Sequence, residues 1–438
     1  MTATDASAPL DLTVYPETAT LEDGRLRIGG RAVSDIVAEH GTPAYLVDEE
    51  ALRRTAHRYV TAFRSRHPRS FVLFAAKSFP AASVIGIVAE EGCGTDAVAG
   101  GELRLALAAG ADPARAVLNG NAKTDDDILV ALHAGIRYLV IDNLDDVERI
   151  ARLATGLGIA PVPVLLRVSP SLQAQTHEAL ATGHDASKFG IPSVQVPEVI
   201  AAIRRERMLD LRGLHAHVGS QLLDLAQFDA EIAALAEFER FGVYDVGGGL
   251  GVRYVPTDEA PTIDEYADRV VRAVHRHLGD DVELLVEPGR SMIAQNVVTA
   301  YRVVTVKRGI RTHVAVDGGM GDNLEVALYG QPFAPAVIDR AGATETVDIV
   351  GKHCESGDYL ARDVRVPRPE VGDIVVVPVT GAYCYTMSNN FNTNLRPPVL
   401  LCRDGATRVA VRRETFEDLV RREQLVPQEA LRRAGSDG

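Results

Sequence analysis

"FVLFAAK" (71–77) is an apolar run that stops at a lysine. A short continuous apolar stretch of this kind reads as a strand buried on both faces, the signature of a parallel sheet. A second run, "GTDAVAGGE" (94–102), follows, and then "AVLNGN" (116–121), "YLVIDN" (138–143), "PVLLRVSP" (163–170), "LRGLHAHVGS" (211–220), "VYDVGGGLG" (243–251) and "ELLVEPGR" (283–290). The early starts lie roughly 22 to 25 residues apart. Between them run Ala-, Leu-, Glu- and Arg-rich segments with helical spacing, such as "GELRLALAAG" (101–110), "TDDDILVALHAG" (124–135), "LDDVERIARLATG" (144–156) and "PTIDEYADRVVRAVHRHLG" (261–279). Eight consecutive right-handed crossover units imply an α/β fold, a closed (β/α)8 barrel of the TIM type, with an open doubly wound sheet as the alternative. The long gap before the sixth strand implies an inserted loop carrying "THEALATGHDASKFG" (176–190).

Beyond about residue 290 the helices give way to strands: "VVTAYRVVTV" (297–306), "HVAVDGG" (313–319), "TVDIVG" (346–351), "DIVVVPVTG" (373–381), "PVLLC" (398–402) and "TRVAVRR" (407–413). They predict an antiparallel β domain of the sandwich or barrel-like kind. "RLRIGG" (25–30) has the same texture, so the expected division is a barrel over 45–285 and a β domain over 1–44 plus 286–438.

The 438 residues, 46% of them hydrophobic, suffice for two packed cores. A formal charge of −14 opposes a nucleic-acid surface or a basic membrane anchor, and leaves small molecules or protein as partners. Neither a signal segment nor an apolar stretch of about 18 residues is evident, which predicts a soluble cytoplasmic protein. Cys93, Cys354, Cys384 and Cys402 have no C-x-x-C spacing and are expected to be thiols, holding neither a disulfide framework nor a structural zinc.

In a β/α barrel, chemistry gathers at the C-terminal strand ends. Those ends carry Lys77, Asp96, Asn119 with Asn121, Asp142 with Asn143, Arg167, His215 with His217, Gly247 to Gly249, and Glu287 with Arg290. A lone strand-end lysine is commonly just solvated, and a glycine triplet is commonly a turn; eight polar ends at one mouth weaken both readings. "DVGGGLG" matches neither G-x-G-x-x-G nor a P-loop, yet side-chain-free backbone can present N–H groups to a phosphate. A lysine and a phosphate cradle together suggest pyridoxal 5′-phosphate, with the lysine amine forming an imine to its aldehyde and Glu287 keeping the pyridine nitrogen protonated. His217 is placed to stack on the ring, and Asp96 and Arg167 to orient neighbouring groups. A metal-dependent barrel hydrolase is the remote alternative, because His215 and His217 alternate on one strand and would point the same way.

In order along the chain, "FAAKS", "DAVAGGEL", "NGNAKT", "THE…SKFGI", "HAHVGSQ", "DVGGGLG", "EPGRSM", "VDGGMGDN", "ALYG", "GKHCESGD" and "GAYCYTM" resemble the diaminopimelate and ornithine decarboxylase family of barrel-type pyridoxal-phosphate enzymes, its diaminopimelate branch most closely. The resemblance covers nearly the whole chain. It implies decarboxylation of meso-diaminopimelate to L-lysine and CO2, a step of lysine biosynthesis. It makes Lys77 the cofactor-linked residue, sets His217 against the ring and Glu287 on the pyridine nitrogen, and gives the phosphate to Gly247, Gly248, Gly249, the "EPGR" segment with Gly289 and Arg290, and Tyr383. It makes Cys354 the proton donor and Glu355 the ligand of a substrate amine, both supplied by the second subunit of a homodimer. Arg290 and Tyr329 would grip the distal carboxylate of the substrate together with an arginine at a position that here is Glu325. An anion there repels a carboxylate. Either Glu325 turns aside, or the natural substrate differs at its far end, as a distal amine, amide, ester or carrier-protein thioester. The related alanine racemases pair the pyridine nitrogen with an arginine, which Glu287 opposes.

Overall fold

The computed structural model describes residues 10–170, 188–424 and 429. The first part of the segment "THEALATGHDASKFG", up to residue 187, lies outside them. By internal contacts the chain divides into two units: Glu50–Arg253 with Thr257–Gln295, and Met1–Glu49 with Tyr254–Pro256 and Asn296–Gly438.

All eight expected strands form: Ser70–Ala75, Gly94–Ala97, Ala116–Leu118, Tyr138–Ile141, Val162–Ser169, Leu209–His215, Val243–Asp245 and Glu283–Val286. Each pairs in parallel with its neighbours. Glu283–Val286 returns to Ser70–Ala75, with Leu285 opposite Phe71, and Tyr138–Ile141 joins Val162–Ser169, so the sheet is a closed barrel. Its interior is filled by Leu73, Val117, Tyr138, Val140, Leu165, Val243 and Leu285. The helices that cover it start where their sequences say they should. Thr124 caps Asp125–Ala134 and Thr262 caps Ile263–His277, each through a reciprocal capping box with Asp127 or Glu265, an arrangement worth about 1 kcal/mol per cap.

The other unit is built on a nine-stranded sheet. Its long strand Val297–Arg308 pairs antiparallel with Thr312–Val316, Ile374–Val377 and Ala44–Asp48. The sheet is mixed rather than purely antiparallel, since Ala44–Asp48 runs parallel to Val399–Arg403 and Thr312–Val316 parallel to Thr344–Val350. Strands Ala336–Ile338 and Tyr359–Pro367 join it; the second, "YLARDVRVP", hides in the sequence because its outward positions are Arg and Asp. Thr20–Ala32 makes a separate three-stranded sheet. The four cysteines are free thiols, three buried and Cys354 exposed. Among the described residues no helix is long and apolar enough to cross a membrane.

Candidate active site

Lys77 sits in a single 3-10 turn, Ala76–Ser78, directly after the first barrel strand. Its side chain is 33% exposed while its Nζ lies 2.9 Å from Oδ2 of the fully buried Asp96 at the end of the next strand. The amine is therefore anchored yet reachable. Asp96 in turn accepts from Asn119 Nδ2 at 2.7 Å, and the same amide nitrogen donates to Glu287 Oε1 at 2.7 Å. Glu287 Oε2 faces His215 Nε2 at 3.5 Å. Five strand ends thus carry one continuous polar chain from Lys77 to His215.

Burial works against the charged form of every acid in this chain. It pushes Asp96 up, and the Glu287 charge adds to the push against the pull of Lys77. Asp245, fully buried at the end of the seventh strand, is pushed well above the usual carboxylate range by burial and by Glu287. Glu287 goes the other way: burial opposes its charge, but His215, Lys77 and His217 outweigh it and hold the carboxyl below its ordinary value. Of the clustered carboxyls, Glu287 is the one shifted toward its ionised form.

His215 and His217 do not act as a pair. The strand ends at His215, so the alternation stops there, and the two rings find different partners. His217 Nδ1 accepts from Gly248 N–H at 3.1 Å. Burial, with Lys77 and Arg167 nearby, pushes this ring down to about 3, which agrees with an unprotonated nitrogen accepting that bond. The glycine triplet has a packing reason as well as a chemical one. A Cβ on Gly248 would stand 2.1 Å from the Glu287 carbonyl oxygen, and one on Gly249, at φ +116°, 2.4 Å from that of Gly219. Gly247 N–H is donated to Asp245 Oδ1 at 2.9 Å. Two of the three triplet amides, those of Gly247 and Gly248, are therefore already engaged inside the barrel rather than open to a phosphate.

Gly289 precedes the short helix Arg290–Ile293. Arg290 is buried with its Nε 3.3 Å from Ser220 Oγ. Arg167, also buried, lies over the Phe189 ring at 4.7 Å and 3.6 Å from Asp142 Oδ2.

The remaining sequence-predicted residues belong to the β unit. Glu325 and Tyr329 open and close one short helix, four residues apart and so on one face. Glu325 is buried, and Tyr254 Oη donates to its Oε2 at 3.1 Å. Cys354 and Glu355 lie on an exposed loop. Asp358 holds that loop from below, accepting from His353 N–H at 2.9 Å, from His353 Nδ1 at 2.8 Å and, across from "VDGGMGDN", from Met320 N–H at 2.6 Å. Tyr383 has φ +64°, a strained conformation for a bulky residue of the kind that gathers at functional positions.

A family model described as the pyridoxal binding domain of pyridoxal-dependent decarboxylases matches residues 50–294. The chain belongs to the pyridoxal-dependent decarboxylase family. It is 39% identical to a diaminopimelate decarboxylase of Actinosynnema pretiosum, covering 94% of this chain and 96% of that one, and 36% identical to the Bacillus subtilis enzyme, covering 91% and 95%. Among solved structures it is similar to the M. jannaschii diaminopimelate decarboxylase in complex with L-lysine, with a TM-score of 0.89 at 29% identity over 94% of this chain and 99% of that one. The Helicobacter pylori enzyme, also complexed with L-lysine, gives a TM-score of 0.83 at 31% identity over 89% and 98%. This decarboxylase is a carboxy-lyase that uses pyridoxal 5′-phosphate. Its barrel fits that group: a reachable amine on a buried carboxylate, an anion kept at Glu287, and glycine backbone where any side chain would clash.

Two polar residues of the mouth were not singled out for a role by sequence reading. Asn119 joins Asp96 to Glu287, and Asp245 faces His215 and Glu287 with their polar atoms within 4.8 Å of one another. The signal for Asp245 is present in the sequence, a carboxylate ending a strand two residues before the first glycine of the triplet.

Proposed function

We propose that this decarboxylase converts meso-diaminopimelate to L-lysine and CO2. The observation that carries the choice is the Tyr254–Glu325 hydrogen bond: the carboxylate that would repel the distal end of the substrate is buried and tied to a tyrosine. The names of its relatives support the same substrate.

Lys77 would hold the cofactor covalently, with Asp96 anchoring its amine, and Glu287 would meet the pyridine nitrogen while His217 lies against the ring. Gly247, Gly248, Gly249, Gly289, Arg290 and Tyr383 would surround the phosphate, and Arg167 would brace the mouth through Asp142. When bound, the cofactor supplies an electron sink for the bond to the departing carboxylate. Arg290 and Tyr329 bind the distal carboxylate of the substrate. Glu355 holds a substrate amine, and Cys354 delivers a proton to the reacting carbon. The exposure of Cys354 and Glu355 supports a homodimer in which this loop serves the partner's site. Four free thiols support a reducing, cytoplasmic setting.

A second reading keeps the reaction and changes the substrate. Glu325 stands where the resemblance implies an arginine, and an amino acid with a distal amine, amide, ester or carrier-protein thioester would escape the repulsion. Measuring CO2 release from meso-diaminopimelate, lysine, ornithine, arginine and glutamate derivatives separates the two. Turnover on meso-diaminopimelate with no competitor above it is the expected result. Silence there, with release from a substrate lacking the distal carboxylate, would overturn it.

A further inference from the structure

The polar chain described above ends at His215, and the reaction as read so far gives that residue nothing to do. His215 is 1% exposed, and its Nε2 lies 3.5 Å from Glu287 Oε2. Its Nδ1 is buried with no hydrogen-bond partner among the described residues. Asp245 is fully buried beside both; its Oδ1 is occupied by Gly247 N–H, and among the described residues its Oδ2 meets no N–H donor. A cluster so enclosed cannot hold two bare carboxylates and leave both ionised, because burying a charge without compensation costs several kcal/mol. One acid must take a proton.

The geometry decides which. Glu287 already accepts one N–H from Asn119 and has His215 beside its second oxygen, so its charge is met on both sides. Asp245 has a single backbone donor. A carboxylate has no hydrogen to give, so an ionised Glu287 requires the hydrogen of the contact to sit on Nε2 of the imidazole. We propose that His215 is a positioning residue for this reaction: its Nε2–H holds Glu287 as the anion that keeps the cofactor's pyridine nitrogen protonated, while neighbouring Asp245 takes up the proton of the carboxyl pair. The inference rests on the reading of Glu287 as the partner of that nitrogen.

The charges around Glu287 come from several strands. Lys77, His215 and His217 favour its ionised form. Asp96 and Asp245 oppose it at close range, and Arg167, Glu231 and Tyr266 feel its charge from farther away. Removing the imidazole donor takes away the first-ranked of the favourable contributions. Glu287 then holds its proton to higher pH, and the pyridine nitrogen loses its counter-ion in the same range.

The test uses holoenzyme carrying pyridoxal 5′-phosphate labelled with 15N in the ring, read by its nitrogen resonance across pH, alongside kcat profiles. In the parent protein the nitrogen is protonated. His215→Phe, which fills the space without a donor, is expected to move the resonance toward the unprotonated position and to shift the acidic limb of kcat upward by about one pH unit, tenfold in proton affinity. His215→Leu should reproduce this if the phenyl ring impairs folding. His215→Gln, with an amide N–H near the Nε2 position, is expected to restore most of both signals. Equal losses for Phe, Leu and Gln with an unmoved nitrogen resonance would overturn the inference and leave His215 a packing residue. Glu287→Gln separates the underlying reading: if that variant leaves the nitrogen protonated, the assignment of Glu287 fails, and if it deprotonates the nitrogen while His215→Phe does not, only the present inference fails.

Discussion

The barrel mouth and the loop that carries Cys354 present their chemistry in opposite ways. In the mouth, Asp96, Asn119, His215 and Glu287 are buried and bonded to one another, so each orients the next before any ligand arrives. On the loop, Cys354 and Glu355 face solvent and only the base of the loop is secured, through Asp358. Preorganisation is thus present at the barrel mouth, within one unit, and absent from the exposed tip of the loop. A buried network fixes position at the cost of desolvation; an exposed loop pays neither until it docks.

The sharpest way to break this contrast is at Lys77. Lys77→Ala is expected to abolish the visible absorbance of bound cofactor and to lower kcat on the order of 10^3-fold or more. A coloured, active variant would remove the anchor of the whole mouth. Cys354→Ala should behave differently, with kcat reduced by roughly 10^2-fold, within the range for loss of a general acid, and the cofactor spectrum unchanged. If the spectrum changes as well, the loop is part of the cofactor site and the two regions are not separable. Tyr254→Phe releases Glu325 and should raise KM for meso-diaminopimelate about tenfold with little change in kcat, the effect of losing one hydrogen bond to a charged group; an unmoved KM would mean that Tyr254 does not restrain Glu325.

The smallest effect on turnover is expected in the β unit, where a buried acid serves the fold. Asp322 is pushed up to about 7 by burial, against the pull of Gly319 N–H. An acid that holds its proton more tightly folded than unfolded gives stability that is complete below its unfolded pKa, declines as pH rises, and levels off above about 7. Asp322→Asn should flatten that decline by on the order of 1–3 kcal/mol in denaturation curves taken between about pH 4 and 7, from the unfolded carboxylate's value to the folded one. A slope that persists in the variant would place the titrating group elsewhere.

Much of this was legible in the sequence because a parallel barrel announces itself locally. "FVLFAAK", "AVLNGN" and "YLVIDN" each run apolar up to a polar end, so strand, burial and site position are read from the same few letters. What failed to show were relations across the chain. Nothing near Glu325 signals Tyr254, 71 residues earlier. The direction of His217 depends on where the strand stops, which periodicity does not specify. The parallel pairing of Ala44–Asp48 with Val399–Arg403 joins segments from opposite ends of the sequence, and neither predicts its partner. The glycine triplet was understood as a cradle, yet its tightest requirement is the approach of the Glu287 backbone.

One side chain in the β unit carries a consequence for how this protein tolerates change. Asp358 receives backbone hydrogens from both "GKHCESGD" and "VDGGMGDN", and a Cβ on Gly319 or Gly351 would collide with it at 2.5 and 2.1 Å. Two motifs far apart in the chain therefore share a single latch. In a saturation mutagenesis survey their tolerated substitutions should rise and fall together, and a lesion in either should be suppressible only by a change in the other.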